Sequence, residues 1–406
     1  MIRRSPAVVA ALVAAFSTGA QQPKQPPVFG VGTRVVLVDV VVSGSGDRAV
    51  EGLSASDFIV KEDGKERPIV SFAAFGPRRA SVGPEDVVVE PYPTSRPEPP
   101  SPPSAITVLF IDDGQMAPLE ATKLRPALKR LLASMAEHNA ALALVAPWSK
   151  ISIAKEVEGN RAVFEAAIEK IQGRRSEEAT TMPMADAEAI AIERGDTFML
   201  ERLTKRIIAM NPGMDQDQAQ SAARSRATEV SHYARIRRKD AYGVLLQSLD
   251  WMMNKPGRHS VVMVSGGFAA DPDDDELNEI VTRSLVARAP IHFVDSRGLQ
   301  AFDRFQDVSF GPALDRDAGE APFAFTEAAA GSADLAVDTG GLVIRNTNDF
   351  EKGLARLFET MTHYYILGYE PPDRSKPGFR KIKVEIKPKG LKVLARRGYY
   401  DKGTGS

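Results

Sequence analysis

Cysteine is absent from the 406 residues, which excludes a disulfide scaffold, thiolate zinc sites, a cysteine nucleophile and acylation of a lipobox cysteine. Histidine is sparse: His138, His232, His259, His292 and His363 are scattered without ligand-like pairing, so no histidine metal site is expected. Neither sign of charge dominates. With 52 Lys+Arg against 53 Asp+Glu the formal net charge is -1, and nothing in this balance points to nucleic acid. No segment after the first twenty residues approaches the roughly 20 apolar residues that span a bilayer. What remains is ordinary globular composition, 43% hydrophobic and 26% charged. The chain is long enough for two or three domains at ~100–200 residues each.

The first twenty residues, MIRRSPAVVAALVAAFSTGA, set Arg3 and Arg4 before an apolar run from Ala7 to Phe16 and end in the small residues Thr18, Gly19 and Ala20. That run is about half the length of a membrane span, so residues 1–20 read as a cleaved export signal. The mature chain is expected in the periplasm or outside the cell.

Residues 28–80 read as a β-segment. A β-branched run, TRVVLVDVVV, closes on Gly and Ser, and Asp63-Gly64 sits between two β-prone runs, as a two-residue hairpin turn requires. From residue 83 to 104 repeated prolines favour an extended path without backbone donors, which makes a linker. From 105 to 362 short apolar runs (TVLFID, ALALVAP, SVVMVSG, PIHFVDS, GLVIR) alternate with helical stretches, the pattern of a mostly parallel sheet covered by helices. ALALVAPWSKISIAKEV reads as a hairpin within it. Phe350, Leu354, Leu357 and Met361 fall on one helical face and read as core. The polar, helix-prone stretch 174–240 is too long for a simple connection and reads as a helical insertion. Residues 363–402 return to β-character, with Ile382, Val384 and Ile386 alternating with charged residues. The two end segments each have one apolar face and are expected to pack together as a small β-domain.

Several stretches resemble the bacterial von Willebrand factor A-related proteins of the kind found in acidobacteria: GLSASDFIVKEDGKERPIVSF, PIHFVDSRGL, DTGGLVIRNTNDFEKGLARLFETMTHYYILGYEPP and VLARRGYY. The resemblance covers nearly the whole mature chain apart from the linker and the insertion. It implies an α/β fold, a three-layer α/β/α von Willebrand factor A-like (Rossmann-like) sandwich, with the β-domain of the two ends beside it. It also implies a binding function rather than a chemistry.

In metal-binding members of that wider fold, Asp-x-Ser-x-Ser at the end of the first strand, a later Thr and an Asp after the fourth strand surround magnesium, and a partner's carboxylate completes the octahedron. In VLFIDDGQM, residues 108–116, Asp112 is kept, but Gly114 and Met116 stand where hydroxyls are needed and Gly266 where the Asp belongs. Thr180 or Thr181, at the start of the insertion, is the candidate for the threonine. Asp112 and Thr181 are thus the remnants of a degenerate metal site, and no cofactor is expected, magnesium being the one conceivable ion. The acidic run Asp271, Asp273, Asp274 and Asp275 reads as helix cap and solvated loop.

Enzymatic motifs are weak. GVGTR at 30–34 leads into a strand, not a helix, so it lacks phosphate-cradling geometry. Ser265 in VSGG lacks the Gly-x-Ser-x-Gly turn that presents a nucleophile. The expectation is an exported, non-catalytic protein-binding module whose partner is an unknown protein or envelope macromolecule. Two alternatives stand beside it, a divalent-cation-dependent adhesion protein with a remodelled acidic site and a serine hydrolase-like enzyme. The binding surface is expected at the carboxyl ends of the parallel strands, where Asp112, Asp113, Gln115, Ser265, Asp271 and Asp273 meet.

Overall fold

Alternating and continuous apolar strands build different kinds of sheet in the two parts of the chain. In this computed structural model the described residues are 35–45, 48–76, 105–138, 140–174, 184–270, 275–299, 327, 329–372 and 377–401. The expected export signal and linker lie outside them, as do Thr180, Thr181, Asp271, Asp273 and Asp274.

Strand β1 (Val36–Ser43) alternates, with Val36, Val38, Val40 and Val42 buried. β2 (Phe58–Glu62) and β3 (Lys65–Arg67) pair antiparallel across Asp63 and Gly64, whose φ angles of 49° and 79° are those of a tight two-residue turn. β4 (Ile69–Phe75) follows.

The middle of the chain then runs β5 (Ala105–Ile111), α1 (Pro118–Ala136), β6 (Ala140–Ala146), β7 (Ile151–Glu156), α2 (Arg161–Glu169), α3 (Asp186–Glu193), α4 (Thr197–Met210), α5 (Gln216–Met252), β8 (Arg258–Ser265), α6 (Asp275–Ala287), β9 (Ile291–Asp295), α7 (Ala330–Asp338), β10 (Val343–Ile344) and α8 (Phe350–Thr362). Its strands form a six-stranded sheet in the order β10-β9-β8-β5-β6-β7, parallel except where β7 turns back on β6. β5 is apolar along its length because a parallel strand covered on both faces has no wet side. Its Leu109 and Ile111 pack with α1, α2 and α8, while Ile106, Val108 and Phe110 pack with α5, α6 and α7. Phe350, Leu354, Leu357 and Met361 are the buried stripe of α8. The chain is therefore mixed α/β, with helices on both faces of this sheet.

The helical insertion has a core of its own, in which Leu200, Leu203 and Ile207 of α4 meet Ala219, Ala223 and Ala227 of α5. Its expected end at residue 240 is not a boundary. Helix α5 runs unbroken for 37 residues, ~55 Å at 1.5 Å per residue, and from Ala241 onward Tyr242, Leu245 and Leu249 belong to the core under the sheet. Small and apolar residues at three- and four-residue spacing keep one buried stripe across the join, so nothing in the chain stops the helix there.

After α8 come β11 (Tyr364–Tyr369), β12 (Gly378–Ile386), β13 (Lys392–Ala395) and β14 (Gly398–Asp401). Strands from the two ends interleave in two four-stranded sheets, β13-β1-β11-β4 and β14-β12-β2-β3. One core joins them, drawing Val38, Val40 and Leu367 from the first and Phe58, Val60, Ile382 and Tyr399 from the second. Among the described residues no helix is long and apolar enough to cross a membrane.

Leu367 lies fully buried on β11 between β1 and β4. Leu367→Ala is expected to lower the unfolding free energy by about 2–5 kcal/mol in urea titrations. A loss under about 0.5 kcal/mol would mean that the β-unit contributes little to the cooperative fold.

Candidate functional site

The carboxyl ends of β5, β6, β8 and β9 lie along one edge of the parallel sheet. At this edge β5 ends because its last carboxylates turn inward. The Asp112 amide donates to Val264 O at 2.9 Å, and its carbonyl takes the Gln115 amide at 3.0 Å, closing a turn. Its carboxylate Oδ2 accepts from Ser265 Oγ at 2.7 Å, and that hydroxyl accepts from the Gly267 amide at 2.9 Å. Burial raises the Asp112 carboxyl to about 7; the Ser265 hydrogen bond opposes this, Asp113 adds to it, and Arg237 and Asp240 of α5 act in opposite directions.

Asp113 has another role. It is 0% exposed, and its Oδ1 and Oδ2 accept from the amides of Trp148 and Ser149 at 3.1 and 2.7 Å. Its carbonyl also accepts from the Arg174 amide at 2.9 Å. Asp113 thus fastens the β6–β7 turn and the entry to the insertion onto the end of β5. With both oxygens committed below the surface it offers nothing to a partner, which corrects its expected place on a binding surface. Asp112, Gln115 and Ser265 do come together at this edge, and all three are likewise buried.

Gly114 explains why the turn over Asp113 can close. A Cβ there would sit 2.1 Å from Nε1 of Trp148, so the indole occupies the space that a serine side chain needs. Arg174 lies over the same ring, its guanidinium carbon 5.7 Å from the centroid. Met116, the other hydroxyl position, is buried in the apolar core.

The residues present do not fit magnesium, which demands six oxygens in a near-ideal octahedron. The Asp112 carboxylate is bonded to Ser265, the two hydroxyl positions hold glycine and methionine, and the indole fills the gap. Among the described residues no three His, Cys, Asp or Glu side chains group as metal ligands. Ser265 Oγ is buried and committed to Asp112, a poor posture for a nucleophile.

Three features of this edge escape the sequence reading. Asp295 ends β9 as Asp112 ends β5, and Arg297 forks onto it with Nε and Nη2 at 2.8 and 2.7 Å. Glu120 accepts from Ser296 Oγ at 2.8 Å and from the Ala117 amide at 3.2 Å. Trp148 is one of two tryptophans in the chain and stands in a turn, a signal that was there to use. The insertion also borders the edge: Ala187, Ile190 and Ala191 of α3 face Ala269 and Ala270, after β8, across a cleft of about 450 Å³.

No family model matches the chain, and no curated protein matches it. Among solved structures, proximal thread matrix protein 1 from the mussel byssus is similar at 9% identity and a TM-score of 0.27, over 64% of this chain and 48% of that one. The pilus adhesin SpaC from Lactobacillus rhamnosus GG, in its open conformation, is similar at 8% identity and a TM-score of 0.28, over 89% of this chain and 48% of that one. The chain thus spans about half the length of each. Likenesses at this level carry no argument about family or function.

The Asp112 carboxyl, raised in the folded state, binds its proton more tightly there than in the unfolded chain. Its contribution is present below the unfolded value near 4 and is lost as pH rises through about 7. Asp112→Asn, which keeps an acceptor for Ser265 and cannot ionise, should therefore gain stability relative to the wild type as pH rises from about 4 to 8. Parallel melting curves that keep a constant gap would show that Asp112 titrates normally. Asp113→Ala leaves the Trp148 and Ser149 amides, part-buried, without their acceptor and should cost about 1–3 kcal/mol in the same melts.

Proposed function

We propose that this chain is an exported, non-catalytic protein-binding module, and that its α/β unit is a von Willebrand factor A-like sandwich with a degenerate metal site. The observation that carries this reading is Trp148. The indole fills the gap left by Gly114 and remains 52% exposed under the Arg174 guanidinium. Two other exposed apolar side chains follow strands at the same edge, Leu119 after β5 and Leu299 after β9, at 63% and 58% exposure. Tryptophan and arginine are the residues on which binding energy most often concentrates. A partner, an envelope protein or other macromolecule, would here meet an aromatic and apolar edge flanked by the insertion, where a metal-bridging relative would offer a cation.

In this reading Asp112 and Ser265 hold the strand ends in register, and Asp113 sets the indole. The partner touches none of these carboxylates, and magnesium plays no part. The cation-dependent alternative would need Asp112 ionised and freed from Ser265. The hydrolase alternative would need Ser265 brought to the surface.

Immobilised mature protein should retain its partner from a bacterial envelope extract equally in EDTA and in excess magnesium. Trp148→Ala should weaken that complex by more than tenfold, roughly 1.4 kcal/mol, without lowering the melting temperature. Gly114→Ser, whose new side chain displaces the indole, should do the same. Unchanged binding in both variants would move the surface elsewhere, and magnesium-dependent binding abolished by Asp112→Ala would reinstate the cation-dependent adhesion protein.

A further inference from the structure

At the other edge of the parallel sheet, the amino ends of β8 and β9 meet the β-unit built from the chain's two ends. Arg258 begins β8 and His292 is the second residue of β9; Asp39 of β1 and Arg396, between β13 and β14, face them from the β-unit. Together they line a cavity of about 30 Å³. At ~10–15 Å³ for each water, that is room for about two waters or one small ion. Gly340, after α7, closes one side: its φ is +81°, and a Cβ there would lie 2.8 Å from the Arg396 amide nitrogen.

Beside the carboxylates of Asp39 and Asp338, this cavity is lined by buried donors that lack hydrogen-bond partners. The Arg258 guanidinium lies flat on Tyr364, 3.3 Å from the ring centroid, and Tyr364 in turn stacks on Phe75 at 4.6 Å. Stacking occupies the face of the guanidinium and leaves its edge N–H groups to find partners in their own plane. Arg258 Nε and Nη1 find none, and neither does Arg396 Nε, although another nitrogen of Arg396 donates to Leu37 O. Both arginines are only half-buried as whole residues, yet these nitrogens are shut off from solvent. His292 Nδ1 accepts from the Leu342 amide at 3.0 Å, which assigns the ring proton to Nε2, and Nε2 is buried and unpartnered too.

Charge points the same way. Burial lowers the Arg258 and Arg396 guanidinium groups toward about 10, so both remain cations at neutral pH, and it holds His292 neutral. Arg288 adds a third cation at the mouth. Against these three stands Asp39, bonded to Arg288 at 3.2 Å, while Asp338 is engaged by Arg397 at 3.4 Å. The cluster carries an uncompensated positive charge, and buried charges are normally paired.

We propose that this cavity binds one small free oxyanion, of the inorganic phosphate or sulfate class, through the edge N–H groups of Arg258 and Arg396 and Nε2–H of His292. Guanidinium edges match the oxygens of such anions, and a single tetrahedral anion has enough lone pairs for all four donors. The cavity's size excludes a nucleotide or a phosphorylated sugar. The bound anion joins β8 and β9 to β1 and the β13–β14 connection, so it links the two parts of the fold. This inference concerns the edge opposite Trp148 and stands apart from the proposed function.

The test uses the full chain with inorganic phosphate, sulfate, phenyl phosphate and chloride at matched ionic strength. Phosphate or sulfate at about 50 mM is expected to raise the melting temperature at least about 2 °C above chloride. The phosphorus resonance of free phosphate should broaden on adding protein and sharpen again when sulfate displaces it. Arg258→Met should weaken binding at least about tenfold, whereas Arg224→Gln, on the exposed face of α5, should leave it unchanged. If Arg258→Met does not fold, line broadening and its reversal by sulfate on the wild type decide alone. Equal effects of chloride and phosphate, or undiminished binding in folded Arg258→Met, would overturn the site. Phenyl phosphate binding as tightly as phosphate would overturn the assignment to a free anion.

Discussion

The carboxylate of Asp113 is the tie on which the carboxyl edge of the sheet depends. One side chain takes two backbone amides of the β6–β7 turn, while its own carbonyl takes the amide of Arg174. Hydrogen bonds from backbone amides to a carboxylate are among the stronger kinds, and the accepting side chain here is fully buried. They fix where the turn lands relative to β5, and so where Trp148 lies. Gly114 then matters because any side chain there would push the indole away. The first residue of the insertion, Arg174, is tied to the same point through its amide. A residue pair that ends a strand thereby sets the surface around it.

Features legible in the sequence were those settled by local pattern. Asp63-Gly64 had to be a tight turn because few residue pairs tolerate two successive positive φ angles. Phe350, Leu354, Leu357 and Met361 had to face one way on any helix, and the sheet took that face. The interleaving of the end strands was suggested by their one-sided apolar patterns, but the order β13-β1-β11-β4 was not, because strand order is settled by tertiary packing. The run of helix α5 past residue 240 is hidden by its polar composition and carried by its spacing of small residues, which continues into the core under the sheet. The site was less legible still. Nothing in the pair Asp112-Asp113 says which carboxylate turns inward to backbone amides and which to Ser265, since both partners lie more than thirty residues away. Arg258 and Arg396 gave no signal at all, as their meaning arises only where two distant segments close on one cavity.

The two edges of the central sheet solve their electrostatics in opposite ways. At the carboxyl ends, four carboxylates of the described residues have donors: Ser265 for Asp112, two amides for Asp113, Ser296 for Glu120 and Arg297 for Asp295. These four carboxylates are thus spoken for, and among the described residues Trp148, Leu119 and Leu299 stand exposed near them. At the amino ends the balance is reversed: the Arg258, Arg396 and His292 donors lack partners in a small space where the nearby carboxylates, Asp39 and Asp338, are engaged by Arg288 and Arg397. A buried donor without a partner costs more than a satisfied bond returns, so the amino edge holds the unspent binding capacity of the fold.

Asp112 shows how a carboxylate can persist at such an edge without a cation. An ionised carboxyl buried beside Asp113 and near Asp240 suffers both desolvation and like-charge repulsion. In metal-binding von Willebrand factor A domains a divalent ion supplies the charge that relieves such stress. Here the raised affinity of Asp112 for its own proton relieves it, and Ser265 donates to the oxygen in either state. A proton satisfies the site from within, whereas a cation leaves a coordination position for a partner's carboxylate. In the binding function proposed for this edge, contact comes instead from the neighbouring side chains, the exposed indole under Arg174 first among them.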